Sequence, residues 1–215
     1  AVPPKLSYAV ALAIAQAENK PIPTQYIPIQ HLQGKDNPMF FNLNGAKFEV
    51  RKERPKRGNS KFKYHIPYLI VDAYRVELTN YRSDFEKGRF LWEVEIHYSQ
   101  GKDKAKVFTP NITMWAIPSQ HKESLREYIA KTKKFVPNMN RFQSIFCMTT
   151  DDRIQQKYYG PYELLESVKA FIETTFSQEE QREYVRFNDE PTEVPLAIAS
   201  GYLLLKRITT YMGRL

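Results

Sequence analysis

From Met39 onward, apolar and polar residues alternate along the chain, and this period of two predicts strands. Lys47–Glu53 reads as a first strand, broken by Pro55 and an Arg57-Gly58-Asn59 turn. Beyond it, Tyr64, Ile66, Tyr68, Ile70, Tyr74, Val76 and Leu78 fall on one face of a single long strand, with Asp72 the only charge among them. Lys63, His65, Leu69, Val71, Arg75 and Glu77 take the opposite face. Strands usually run to about 5–6 residues, so a bend or bulge is expected near Pro67 or Asp72. Another strand carries Phe90, Trp92, Val94, Ile96 and Tyr98 on one side and Glu93, Glu95 and His97 on the other. A Ser99–Lys102 turn then leads into Lys104–Thr109, and Ile112–Ile117 makes a possible fifth strand.

The period changes to helical after Pro118. Ser119 opens a helix to about Lys134, and Gly160-Pro161 opens a second, with Leu164, Leu165, Val168, Phe171 and Ile172 at helical spacing. Ser177 and Glu180 have capping-box spacing, and Pro195 starts a last helix that Gly201 weakens. At the front, Leu6–Glu18 is rich in Ala and Leu and reads as a helix, with a Pro-containing connector following to Pro38. Its Ala-Gln-Ala ending resembles a leader sequence, but an amphipathic or buried helix is the preferred reading. The expected fold class is α+β: an antiparallel β-meander or small OB-like barrel of four to five strands, followed by packed helices. Three segments are expected to form one unit: 1–38, a basic aromatic-rich β-region over 39–118, and a helical region over 119–215.

Charge adds a functional hint. The net charge is +8, with 23 Lys/Arg against 13 Asp/Glu in residues 1–134 and 9 against 11 in residues 135–215. Between Lys47 and Lys63 stand eight cations, Lys47, Arg51, Lys52, Arg54, Lys56, Arg57, Lys61 and Lys63, against Glu49 and Glu53. Packing places no demand for so many cations around one turn, so the segment reads as a basic hairpin facing a polyanion. Aromatic residues on the adjoining strands offer flat faces on which unpaired bases can stack, and Tyr64, Tyr68 and Trp92 are the ones singled out. The expected function is therefore binding of single-stranded nucleic acid, largely independent of sequence. One alternative is an interaction or scaffold subunit that docks an acidic protein partner. A second is a metal-dependent nuclease, which requires Asp72, Glu93 and Glu95 to converge on an ion.

Other chemistry is thin. The four His, at 31, 65, 97 and 121, form no pair at zinc-ligand spacing, so no metal is expected. Neither a GxGxxG nor a GxxxxGK[ST] loop occurs, and no other cofactor is expected. The lone Cys147 fits a reducing, cytoplasmic compartment and, in an apolar context, a buried inert thiol. No run approaches the ~20 apolar residues of a membrane span. The balance points to a binding protein rather than an enzyme.

Overall fold

The computed structural model describes residues 4–19, 39–43, 46–50, 53–99, 105–186 and 193–215, which fall into two compact units, 1–52 and 53–215. The division lies inside the segment that the sequence reads as one β-region. In the first unit, helix α1 (Pro4–Ala17) ends where Asn19 takes a left-handed conformation (φ 49°), a common way to close a helix. Strands β1 (Met39–Leu43) and β2 (Ala46–Val50) form an antiparallel hairpin, with Met39 opposite Val50 and Leu43 opposite Ala46.

The second unit is built on an open antiparallel sheet of four strands in sequential order: β3 (Lys63–Val71), β4 (Tyr74–Thr79), β5 (Glu93–Tyr98) and β6 (Lys106–Phe108). A meander followed by helices is thus the architecture. Two expectations about strands are corrected. The long strand over residues 64–78 is a hairpin, in which Val71 pairs with Tyr74 across a two-residue turn. Both turn residues, Asp72 (φ 47°) and Ala73 (φ 67°), are left-handed, the geometry that matches the twist of two-residue hairpins. Residues 112–117 are not a strand; they contain a short 3-10 turn, Met114–Ala116.

A bulge interrupts β3, where the register with β4 shifts between His65 and Ile70. The extra residue reverses the alternation, so Ile66 and Leu69 both point into the core while Tyr68 and Ile70 point out. On β4 and β5, Val76, Leu78, Val94 and Ile96 are fully buried on the inner face.

Helices α5 (Pro161–Thr175) and α7 (Leu196–Met212) cover that inner face; the unit also contains α2 (Lys122–Thr132) and α6 (Gln178–Arg182), which pack against α7, α3 (Met139–Cys147), which packs against α5, and α4 (Thr150–Gln155). Gly160 precedes Pro161 as predicted, its N–H donating to Glu163 Oε2 at 3.0 Å, and Ser177 with Glu180 forms the expected capping box. A small hairpin of β7 (Tyr184–Arg186) and β8 (Glu193–Pro195) leads into α7, which is the centre of the core and buried from Leu196 to Leu205. Among the described residues, no helix is long and apolar enough to cross a membrane.

Gly201 has a packing role within α7. A Cβ there would lie 2.8 Å from Ile66 Cδ1 and 3.3 Å from Ile172 Cδ1, so the missing side chain lets β3 and α5 close on the helix. Gly201→Val is expected to cost about 2 kcal/mol through overpacking. The check is a lower urea midpoint with an unchanged slope; an unshifted midpoint would mean that the core yields there.

Candidate nucleic-acid interface

The basic segment does not form the predicted hairpin. Strand β2 pairs with β1, and residues 53–62 run as an irregular arm docked on α3. Polar groups pin the arm's backbone. The Lys56 N–H donates to the Cys147 carbonyl at 2.7 Å, and the Cys147 thiol donates to the Arg57 carbonyl at 3.1 Å. The Gln143 amide donates to the carbonyls of Gly58 and Ser60, both at 3.0 Å. Asn80 Nδ2 donates to Ser60 O at 3.1 Å, and Asn80 Oδ1 accepts the Phe62 N–H at 2.6 Å. At the arm's start, Glu53 accepts the Thr150 N–H at 2.7 Å, which holds its carboxyl below the usual carboxylate range. Cys147 is buried as expected, and burial pushes its thiol up, away from the reactive thiolate.

The cations differ in what they are free to do. Arg54 and Arg57 are exposed, and neither forms an ion pair among the described residues. Lys56 lies 3.7 Å from Glu53 and over the rings of Phe146 and Tyr162. Lys61 is exposed over Tyr81 and Phe85, and Lys63 sits 3.4 Å from Glu77 and 3.5 Å from Glu95. Lys47 belongs to β2 in the first unit, and Arg51 and Lys52 lie outside the described residues.

The aromatic candidates separate cleanly. Trp92 is 1% exposed, wedged against Phe62, Phe142 and Phe146, and offers no face to a base. That corrects the expectation for this residue: its period-two position is a core position. Tyr64 is 44% exposed, its ring against His65 and Tyr162. Tyr68 is 88% exposed, with Lys169 Nζ 5.0 Å from its ring centre. It holds a left-handed backbone (φ 59°) within the bulge, a conformation rare for an aromatic residue and one that occurs preferentially at functional positions. Beside it opens a cavity of about 270 Å³ lined by Tyr68, Ile70, Asp72, Gln178, Gln181 and Arg182.

A second basic concavity has no counterpart in the sequence reading. Lys133 at the end of α2 and Lys206, Arg207 and Arg214 on and just beyond α7 surround a cleft of about 280 Å³, together with Asn111 and Tyr211. Among the described residues, no Asp or Glu lines it. The near-neutral charge of residues 135–215 conceals this patch, because it is assembled from distant segments.

The outer face of the sheet gathers a different group. Glu77 lies directly opposite Glu95 in the β4–β5 register, and His97 follows two residues later on the same face. His97 Nε2 is 3.1 Å from Glu77 Oε2 and 3.0 Å from Glu95 Oε2, while Arg75 Nε donates to Glu77 Oε1 at 2.6 Å. Burial pushes the Glu95 carboxyl up, but the His97 hydrogen bond and the Lys63 charge outweigh it and leave the group below its ordinary range. The trio Asp72, Glu93 and Glu95 does not assemble. Asp72 stands at the β3–β4 turn and accepts the Tyr184 hydroxyl at 3.0 Å, whereas Glu93 pairs with Thr79 at the far end of the sheet and lies 3.5 Å from Arg82. Five residues of strand separate those ends, about 17 Å. Searched against protein-family models, curated proteins and solved structures, the chain matches none, and its chemistry is read from its own geometry.

Proposed function

We propose that this protein binds single-stranded nucleic acid with little regard to sequence, using the arm of the second unit and the exposed edge of β3. The observation that carries the reading is Tyr68: the bulge turns an aromatic ring into solvent, in a conformation that costs energy, beside Lys169. Stacking on such a ring is worth about 1–3 kcal/mol per base. Arg54, Arg57 and Lys61 supply exposed charge for phosphates, and the cleft around Lys206 and Arg207 is a further cationic surface. The reading does not require an OB-like barrel, since an open sheet edge can carry a stacked strand.

Fluorescence anisotropy with labelled single-stranded and double-stranded oligonucleotides, over a range of salt, tests it. Tyr68→Ala is expected to leave stability within about 0.5 kcal/mol of wild type and to weaken binding to single strands by about tenfold. Replacing Arg54 and Arg57 together with alanine is expected to flatten the log–log salt dependence by about 1.4. Unchanged binding in both variants, or no binding at low salt, would remove the proposal.

A protein partner is the second reading, and one observation favours it. Among the described residues β3 pairs with β4 alone, and Tyr64, Tyr68 and Ile70 are exposed along it, as in sheets that accept an added strand from another chain.

A further inference from the structure

We infer that Glu77, Glu95 and His97 form a binding site for one divalent transition-metal ion, of the zinc, cobalt or manganese class, in which Lys63 competes with the ion. The site is independent of the nucleic-acid reading, and none of its three ligands belongs to the basic arm.

The register makes the demand for a cation. Two carboxylates directly opposite each other on adjacent strands repel, and burial strengthens the repulsion. Glu77 and His97 are each 6% exposed, and Glu95 is half-buried. Three positive or potentially positive groups face the pair: His97 from β5, Lys63 from β3 and Arg75 from β4. Arg75 takes Glu77 Oε1 and thereby aims Oε2 toward the ring nitrogen.

Proton counting shows what the organic cations leave undone. A ring nitrogen carries at most one proton. His97 Nε2 has hydrogen-bond geometry toward Glu95 Oε2, whereas the buried Glu77 Oε2, although only 3.1 Å from the same nitrogen, has no hydrogen-bond partner among the described residues. Lys63 Nζ lies 3.4 Å from that oxygen, an ion-pair contact rather than a hydrogen bond. A single proton cannot serve both carboxylates, but an ion bonded to all three groups can.

The spacing suits such an ion. Neighbouring ligands around a metal with bonds of about 2.1 Å are about 3.0 Å apart at right angles and about 3.4 Å apart at the tetrahedral angle usual for zinc, so the donor atoms need move by only a few tenths of an ångström. The two nitrogen–oxygen separations are 3.0 and 3.1 Å, and all three donor atoms lie within 4.8 Å of one another. One imidazole with two carboxylates is a mixed donor set, which favours zinc, cobalt or manganese over calcium or magnesium. Arg75 holds the non-coordinating oxygen of Glu77, as outer groups commonly do around a metal ligand.

Lys63 separates this inference from a plain ion-pair network. Its ammonium contacts the same two oxygens that would hold the metal, so removing it takes away a competitor. The experiment is isothermal titration of the metal-stripped full chain at pH 7.5 with zinc, manganese(II), magnesium and calcium, together with visible spectra of the cobalt(II) form. Wild type is expected to bind one zinc or cobalt(II) ion, with magnesium and calcium much weaker. Lys63→Met is expected to tighten binding by about tenfold, and Glu77→Gln and His97→Gln to weaken it by at least that factor. Should either ligand variant fail to fold, cobalt(II) added to wild type should broaden and shift the His97 ring signals in proton NMR. Absence of binding in both wild type and Lys63→Met overturns the inference. So does metal binding that leaves the His97 signals untouched, or a Lys63→Met variant that merely loses stability without gaining affinity.

Discussion

Replacing Asn80 with alanine is expected to destabilise the second unit by about 3 kcal/mol, because two buried groups would lose their partners at a cost of about 1–3 kcal/mol each. Asn80 is fully buried just beyond the end of β4, and its side chain makes three hydrogen bonds. Its Oδ1 accepts the Phe62 N–H at 2.6 Å, and its Nδ2 donates to Ser60 O at 3.1 Å and to Gln143 Oε1 at 2.8 Å. Alanine leaves the Phe62 N–H and Gln143 Oε1 unmatched, while Ser60 O keeps the Gln143 amide. Asn80→Asp should be little better, since it keeps the acceptor but loses both donors and buries a charge. Urea denaturation measures the stability. Trypsin cleavage after Arg57 and Lys61 should quicken in the folded variant, and under the proposed function oligonucleotide affinity should fall although no contact residue has changed. An Asn80→Ala protein with wild-type stability and wild-type cleavage would show that the network does not hold the arm.

Trp92→Ala is expected to have an effect at least as large, about 3–5 kcal/mol, the usual range for a fully buried large aromatic. The indole sits against Phe142 at 4.9 Å, Phe62 at 5.3 Å and Phe146 at 5.9 Å between ring centres, linking the arm, the sheet and α3. Its Nε1 is buried without a hydrogen-bond partner among the described residues, so Trp92→Phe gives up packed area but no recorded polar contact and should cost considerably less than alanine. Tyr68→Ala supplies the contrast, because a ring that is 88% exposed contributes little to stability. A Trp92→Ala variant of near-wild-type stability that had lost nucleic-acid binding would reverse these assignments.

What the sequence makes legible follows from how local each signal is. Val94 and Ile96 alternating with Glu93 and Glu95 show a half-buried strand directly, and β5 is where the alternation places it. Gly160-Pro161 and Ser177–Glu180 announce helix starts through backbone chemistry confined to one turn. The β3–β4 hairpin is hidden because its left-handed turn uses Asp72 and Ala73 without the Gly or Asn that normally marks one. Trp92, by contrast, is ambiguous in principle: period two gives a face, and only the helices packed on the sheet decide which face is buried. The Glu77–Glu95–His97 cluster depends on strand register. Glu95 and His97 are visible as neighbours on one strand, but Glu77 joins them only through the pairing of β4 with β5. The Lys133–Arg207 cleft likewise requires the tertiary placement of α2 and α7.

The docked arm has a kinetic consequence. With the Gly58 and Ser60 carbonyls already held by Gln143 and Asn80, this part of the surface has little backbone left to freeze when a partner arrives. Under the proposed function, encounter should then resemble the meeting of a charged rigid body with a flexible strand. The association rate would be set by electrostatic steering and would fall steeply with ionic strength, without a slow concentration-independent phase from folding of the arm.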